Sequence, residues 1–388
     1  MRKKDPQETN SRERSAIAHN FGLAPPPDGD YAALAKAAAS WNDGQSRLLR
    51  TSAARIAKVE DARRRFREKM GRIVSDDASR RFREFSQRER EALHALARSG
   101  DFAMRREAAH RAREQSLGVM KEAGVNREKL RDLYASFKGE LQEIVRPSRA
   151  ASRYLDKVAL KDTPQPIRDH VMSGDFHFTT TTSDGLTIFT PPYDGWWWKG
   201  SWWRSGGDDP AIDIYPDRFT GSIGHRSEWY DGDASDADVF TLDYDTSVSV
   251  WYNPPHNGVL DVWILATCSN TRYDIYLEDE WGWSDSDSYM QSYLTANVSP
   301  VIDDEDKTQT WDTHIGGSPD HETYADEPFP PGNVQMFHLT TSQALAGGVW
   351  SMLRVGTYEH RFTFLNDVET RQLMRNRWFV NAIFVRTQ

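Results

Sequence analysis

DGWWWKGSWWRSGG, residues 194–207, places five tryptophans within eight positions. Lys199-Gly200-Ser201 has the composition of a tight turn, which predicts a hairpin with WWW and WW as its two arms. Side chains alternate along a strand, so Trp196 and Trp198 share one face and Trp197 takes the other. Trp202 and Trp203 must likewise diverge. Five rings arranged this way cannot all enter one core. Two uses compete: the rings close one end of a β-structure, or they form a flat aromatic surface for a ligand. A flat indole face suits the apolar C–H side of a sugar, another protein or a lipid interface. On the second reading Trp197, Trp202 and Trp203 are the contacts, with Asp194 and Arg204 as polar partners.

The surrounding chain divides in two. Residues 1–165 carry 36 Lys+Arg against 24 Asp+Glu, and the remainder carries 13 against 34. Thirteen of the fourteen tryptophans fall in the acidic part, so charge and aromatic content change together near residue 165. Residues 1–30 end in APPPDGD and read as a flexible segment. Residues 31–160 favour helix: Ala, Arg, Glu, Leu and Lys dominate. Leu49, Ser52, Ile56, Val59, Arg63, Phe66, Met70 and Ile73 follow 3–4 spacing. Phe82, Phe85, Leu93 and Leu96 form a second stripe after a break at Ser75-Asp76-Asp77. Leu130, Leu133, Phe137, Leu141 and Ile144 form a last one, entered through Gly124 and Asn126 as stop and cap. Four or five helices in a basic bundle or coiled-coil hairpin are expected. Pro164 and Pro166 mark residues 161–168 as a linker.

From 169 to 388 the pattern is short β-branched and aromatic runs separated by Gly, Pro, Asn and Asp. GVLDVWILATC and WFVNAIFV are apolar at successive positions and read as central strands. The fold class expected is therefore α then β: a helical bundle followed by an antiparallel β-sandwich of jelly-roll type. No apolar run approaches the ~18 to 20 residues that span a bilayer. The charged N-terminus lacks the apolar segment of a secretory signal, so synthesis in the cytosol is expected, with any exit by lysis, a dedicated machine or a particle. Cys268 is the single cysteine, which excludes an intramolecular disulfide and reads as a core residue.

Several acidic and histidine clusters carry chemistry in principle. Asp231, Asp233, Asp236 and Asp238 lie within one loop-like stretch and offer oxygens to a hard cation such as calcium, but no glutamate closes an EF-hand pattern. A solvated acidic turn is the plainer reading, and no other cofactor is expected. Asp303, Asp304, Glu305 and Asp306 read as a charged loop. Asp274, Glu278 and Glu280 share a strand face by alternation, and with Glu228 they are the carboxylates a glycosidase would need across a cleft. His314, Asp320, His321 and Glu322 lack the spacing of a zinc site. Phosphate-binding loops and nucleophile elbows are absent. The arginine-dense helices, interleaved with Glu and Asp, suit ion-paired surfaces or docking on an acidic partner better than nucleic acid.

Function follows as a ranking. First is a non-enzymatic binding or assembly protein, oligomeric or anchored through its helices, whose sandwich recognises a glycan or protein ligand. Second is a membrane-acting, toxin-like protein with a helical effector half. Third is a glycoside-active enzyme.

Overall fold

The computed structural model describes residues 26, 31–78, 80, 81, 84, 85, 88, 92, 104, 107, 108, 111, 115, 118–145, 156–174, 179–232, 238–279, 285–299, 306–317, 321–326, 331–341, 343–366 and 368–388. Among the described residues two long helices come first: α1 (Tyr31–Ile73) and α2 (Arg127–Val145). Asn126 caps α2, its side-chain oxygen accepting the Lys129 N–H at 3.0 Å. Gly124 stands before it with φ +72°, a left-handed stop. Ser75 caps the helical turn after α1 by accepting the Ala78 N–H. Phe82, Leu93 and Leu96 of the second apolar stripe lie outside the described residues.

Strands follow in two sheets. One runs β10 (Asp306–Gly317), β9 (Asp285–Ser299), β13 (Ser351–Asn366), β7 (Asp238–Tyr252), β4 (Gly195–Arg204). The other runs β1 (Asp156–Val158), β12 (Val334–Thr340), β8 (Leu260–Asp279), β14 (Val368–Thr387), β3 (Thr187–Phe189), β2 (Thr180–Thr181). In it β11 (His321–Asp326) joins β8, β6 (Ser222–Asp231) joins β14, and β5 (Ala211–Ile214) joins β6. Every pairing is antiparallel. The inner faces meet: Val248, Val250, Leu353 and Val355 of the first sheet pack with Val262, Ile264, Val380 and Val385 of the second.

Both outer faces are also covered, which explains strands that are apolar at successive positions. Val262 and Ile264 point inward, while Trp263 and Leu265 point outward into a second cluster with Ile167. Ile167 belongs to α3 (Gln165–Ser173). The stretch expected to be a proline linker therefore forms a short 3-10 turn and this helix. Pro166 sits in the first helical turn, where a missing N–H costs nothing and the fixed φ favours the helix.

The outer face of the first sheet is covered by α1 and α2. Val59, Ala62 and Phe66 of α1 and Leu133, Phe137 and Leu141 of α2 share a core with Val239, Phe362 and Phe364. The Phe137 and Phe364 rings lie 5.7 Å apart, edge to face. At the other end Tyr31 and Leu34 pack on Trp251 and Met352. Arg63 donates to Asp238 at 2.9 Å, joining α1 to β7. The basic and acidic parts of the chain thus share a hydrophobic core, and the described parts of the helices bury their apolar stripes on a sheet as well as on each other. Heptad-like spacing marks a buried stripe but not its partner.

A polar seam crosses the sandwich interior. Glu359, fully buried, faces His225 Nδ1 at 3.1 Å and accepts from Asn376, whose own carbonyl takes the Trp378 indole N–H. Arg361, also fully buried, lies over the Phe240 ring, and burial lowers its pKa to about 10.

Because the helices share a core with the first sheet, Phe66→Ala is expected to destabilise the sheet as well, by about 3 kcal/mol. Urea unfolding followed by tryptophan fluorescence, which reports mainly on the sheets, will read this. A fluorescence midpoint equal to wild type would contradict the shared core.

Candidate functional site

The tryptophan stretch is one strand. β4 pairs with β7 without a break from Gly195↔Ser249 to Arg204↔Phe240, so the hairpin expected at Lys199-Gly200-Ser201 does not form. Gly200 serves a different purpose. A Cβ built there would lie 2.5 Å from the Tyr244 ring, so the glycine lets that ring cross the strand. Tyr244 in turn stacks on Trp198, with 6.2 Å between centroids and 5° between planes.

Alternation then sorts the five indoles. Trp196, Trp198 and Trp202 share one face and stand 42%, 41% and 40% exposed. They are spaced along roughly 20 Å of the strand at ~3.3 Å per residue, and the largely buried Tyr244 ring fills the gap at Gly200. Trp197 points the other way and covers the Arg354 guanidinium at 4.8 Å. Arg354 also donates to Asp245 at 2.6 Å and Ser247 at 2.7 Å. Trp203 packs against the core shared with the helices. Of the three contact rings expected from sequence, Trp202 is in the row and Trp197 and Trp203 are on the opposite face. Trp196 and Trp198 are the other exposed rings, and Tyr244 lies buried between Trp198 and the core. Nothing local in the sequence distinguishes the two faces, because Arg354 and Phe364 lie far along the chain.

The two polar partners expected from sequence flank the strand. Asp194 accepts the Trp251 N–H at 2.8 Å, and burial raises its pKa. Arg204 pairs with Asp209 at 2.8 Å. On the outer face Ser201, Asp243 and His360 stand in one cross-strand line. Asp243 accepts the Tyr358 hydroxyl at 2.7 Å and lies 2.8 Å from His360 Nδ1. Burial alone would raise this carboxyl, but His360, Tyr358 and Arg55 together hold it below its ordinary value.

The acidic loop is divided. Asp238 is tied to Arg63 and accepts the Ser205 hydroxyl, and both Asp231 and Asp238 are buried beside the Gly206-Gly207 turn. Asp233 and Asp236 lie outside the described residues. No group of three His, Cys, Asp or Glu arranged for a metal ion occurs among the described residues. Asp274 pairs with Arg272 at 2.7 Å. Glu228 accepts from Arg371 and Arg226, and the Arg371 hydrogen bond holds its pKa down, the reverse of what a general acid requires. Glu278 lies on β8, His314 on β10, and His321 and Glu322 on β11; their side chains, with Glu280, Asp320 and the acid run 303–305, fall outside the described residues.

No protein-family model matches the chain, and no curated protein does. Among solved structures, the chain is similar over 45% of its length to 88% of the carbohydrate-binding module TmCBM61 in complex with β-1,4-galactotriose, at 12% identity and TM-score 0.13. A CBM4 structure is matched over 47% of this chain and 88% of its own, at 10% identity and TM-score 0.09. The enzymatically active domain of bacteriophage CBA120 tailspike protein 4 is matched over 47% of this chain and 19% of its own, at 10% identity and TM-score 0.11. TM-scores this low carry no argument about function.

The Asp243 contacts make a pH prediction. A carboxyl held low in the fold takes up its proton first in the unfolded chain, so its stabilisation is complete above pH ~4 and is lost as pH falls through the lowered value. Asp243→Asn is expected to flatten the acid limb of unfolding free energy against pH, measured in urea. An acid limb like that of wild type would contradict these contacts.

Proposed function

We propose that this chain is a non-enzymatic glycan-binding protein and that the β4 aromatic row is its contact surface. One observation carries the reading: three indoles, each about two-fifths exposed, stand on one face of one strand with a tyrosine ring set between them. Large apolar side chains aligned in this way are costly to leave in water unless something covers them. A row of flat rings suits an extended chain of sugar units, each offering an apolar C–H face to a ring. The strand is backed by β7 and braced on its other face by Arg354 and the helix core, so the rings are held before a ligand arrives.

The helices have a supporting part in this reading. Their described apolar stripes lie on the sheet, so oligomerisation or anchoring would use exposed, arginine-rich faces and would weaken with salt. None of the described helices is long and apolar enough to cross a membrane. The carboxylates weighed for glycoside chemistry and described with their side chains, Asp274 and Glu228, are engaged by arginines.

The test is a screen of the full chain on immobilised glycans, with Trp196→Ala and Trp198→Ala beside it. Each variant is expected to weaken binding about three- to tenfold, the size of one aromatic stacking contact, with the thermal midpoint little changed. Gly200→Val, which must displace Tyr244, is expected to weaken binding as well. Variants that bind as well as wild type would contradict the row.

A further inference from the structure

On its outer face the second sheet carries a line of like charges. Arg375 of β14 stands directly opposite Arg226 of β6 on one side and Arg272 of β8 on the other. All three alternate with residues buried in the sandwich, Ser227, Tyr273 and Met374, and so point away from it. Like charges opposite one another in a sheet repel. The two flanking arginines are compensated. Arg226 reaches Asp213 at 3.1 Å and Glu228 at 2.7 Å, and Arg272 donates to both oxygens of Asp274 at 2.8 and 2.7 Å. Arg371, further along β14, also takes Glu228. No carboxylate pairs with Arg375 among the described residues, and its neighbours on that face of the strand are Leu373 and Arg377. Arg377 donates to the Ser222 hydroxyl at 3.1 Å and lies over the Tyr215 and Phe379 rings, 4.9 and 5.0 Å from their centroids, again without a carboxylate among the described residues. Burial raises the Tyr215 pKa and Asp213 adds to it, against Arg226, Arg377 and Arg375, so one phenol feels three guanidinium charges.

We propose that Arg375 and Arg377, with Tyr215 beside them, form an anion site that takes the phosphate group of a small phosphomonoester. The site belongs to the other sheet from the β4 indoles and does not depend on the glycan reading. Across these rungs five arginines (226, 272, 371, 375 and 377) face three carboxylates (213, 228 and 274), a surplus of two positive charges. A phosphomonoester brings about 1.5 to 2 negative charges at pH 7 and three acceptor oxygens, which matches that surplus. Guanidinium groups bind such oxygens in pairs, and Arg377 is already held by two rings. A small ligand fits better than a long polyanion. Residues 166–388 carry 13 Lys+Arg against 34 Asp+Glu, so a duplex extending beyond the patch meets repulsion, while a single group within ~8 Å of the arginines is screened from the rest. The patch is open to solvent at this end, with the Arg371 side chain 67% and that of Arg272 47% exposed.

The experiment titrates the full chain by calorimetry, at one ionic strength, with glycerol 3-phosphate, glycerol 3-sulfate, inorganic phosphate and glycerol. Glycerol 3-phosphate is expected to bind, the singly charged sulfate ester several-fold more weakly, and glycerol not at all. Arg375→Gln and Arg377→Gln are each expected to weaken glycerol 3-phosphate about tenfold, the size of one charge-assisted hydrogen bond. Circular dichroism establishes that each variant is folded; if Arg377→Gln is not, Arg375→Gln decides. Without ligand, Arg375→Gln is expected to keep or raise the thermal midpoint, because an opposition of like charges is removed. A clearly lowered midpoint would mean that this guanidinium already has a partner within the chain, and overturns the site. Trp198→Ala is expected to bind glycerol 3-phosphate as wild type does; loss there overturns the separation of this site from the indoles. Inorganic phosphate bound more tightly than the ester overturns the ester. Retention of duplex DNA with no binding of glycerol 3-phosphate overturns the small ligand. No binding of either phosphate, or binding unchanged in both folded arginine variants, overturns the site.

Discussion

β4 is hydrogen-bonded to β7 along its whole length, and among the described residues β7 is its single partner. That constraint governs the site. Being paired, the strand cannot rotate, so alternation separates Trp196, Trp198 and Trp202 from Trp197 and Trp203. Being at an edge, it leaves the first set without a neighbouring strand to cover it. The same residues in a central strand would be core, and in a free loop they would have no common face. Lys199 lies near the middle of the edge, and a charge there discourages pairing with another strand.

The site and the core are coupled through Tyr244. Its ring stacks on Trp198 on one side and on His225 on the other, at 6.2 and 5.0 Å between centroids. His225 lies within hydrogen-bonding distance of Glu359, and Asn376 links Glu359 to Trp378. A continuous path of contacts thus runs from the exposed row into the polar seam. A buried carboxylate loses much solvation, and it persists where its partners have fixed geometry. That geometry in turn fixes the ring at the centre of the row. On the outer face, Arg354 beneath Trp197 and the helix core beneath Trp203 hold the strand from the other side.

Sequence reading reached some of this and missed the rest for identifiable reasons. The helix stripes, the strands apolar at successive positions and the division of the five indoles all follow from local periodicity. Lys199-Gly200-Ser201 misleads because glycine has two uses, turning a chain and admitting a close neighbour, and only the position of Tyr244 distinguishes them. The prolines at 164 and 166 mislead for a similar reason, since proline favours both extended chain and the first turn of a helix. The partner of the α1 stripe is not legible either. Val59 and Phe66 read as a helix–helix seam, yet they also meet Val239 and Phe364, which no spacing rule connects to them. Asp243 and His360 carry no motif and become neighbours through the β7–β13 register alone.

The central claim is that one set of indoles is open to solvent while the other is braced from within. Limited oxidation with N-bromosuccinimide, mapped by mass spectrometry of tryptic and chymotryptic fragments, addresses it directly. Trp196, Trp198 and Trp202 are expected to oxidise first, Trp197 and Trp203 later, and the buried Trp229 and Trp378 last. Equal oxidation of all five rings in 194–207, or protection of Trp196 and Trp198, would contradict the account.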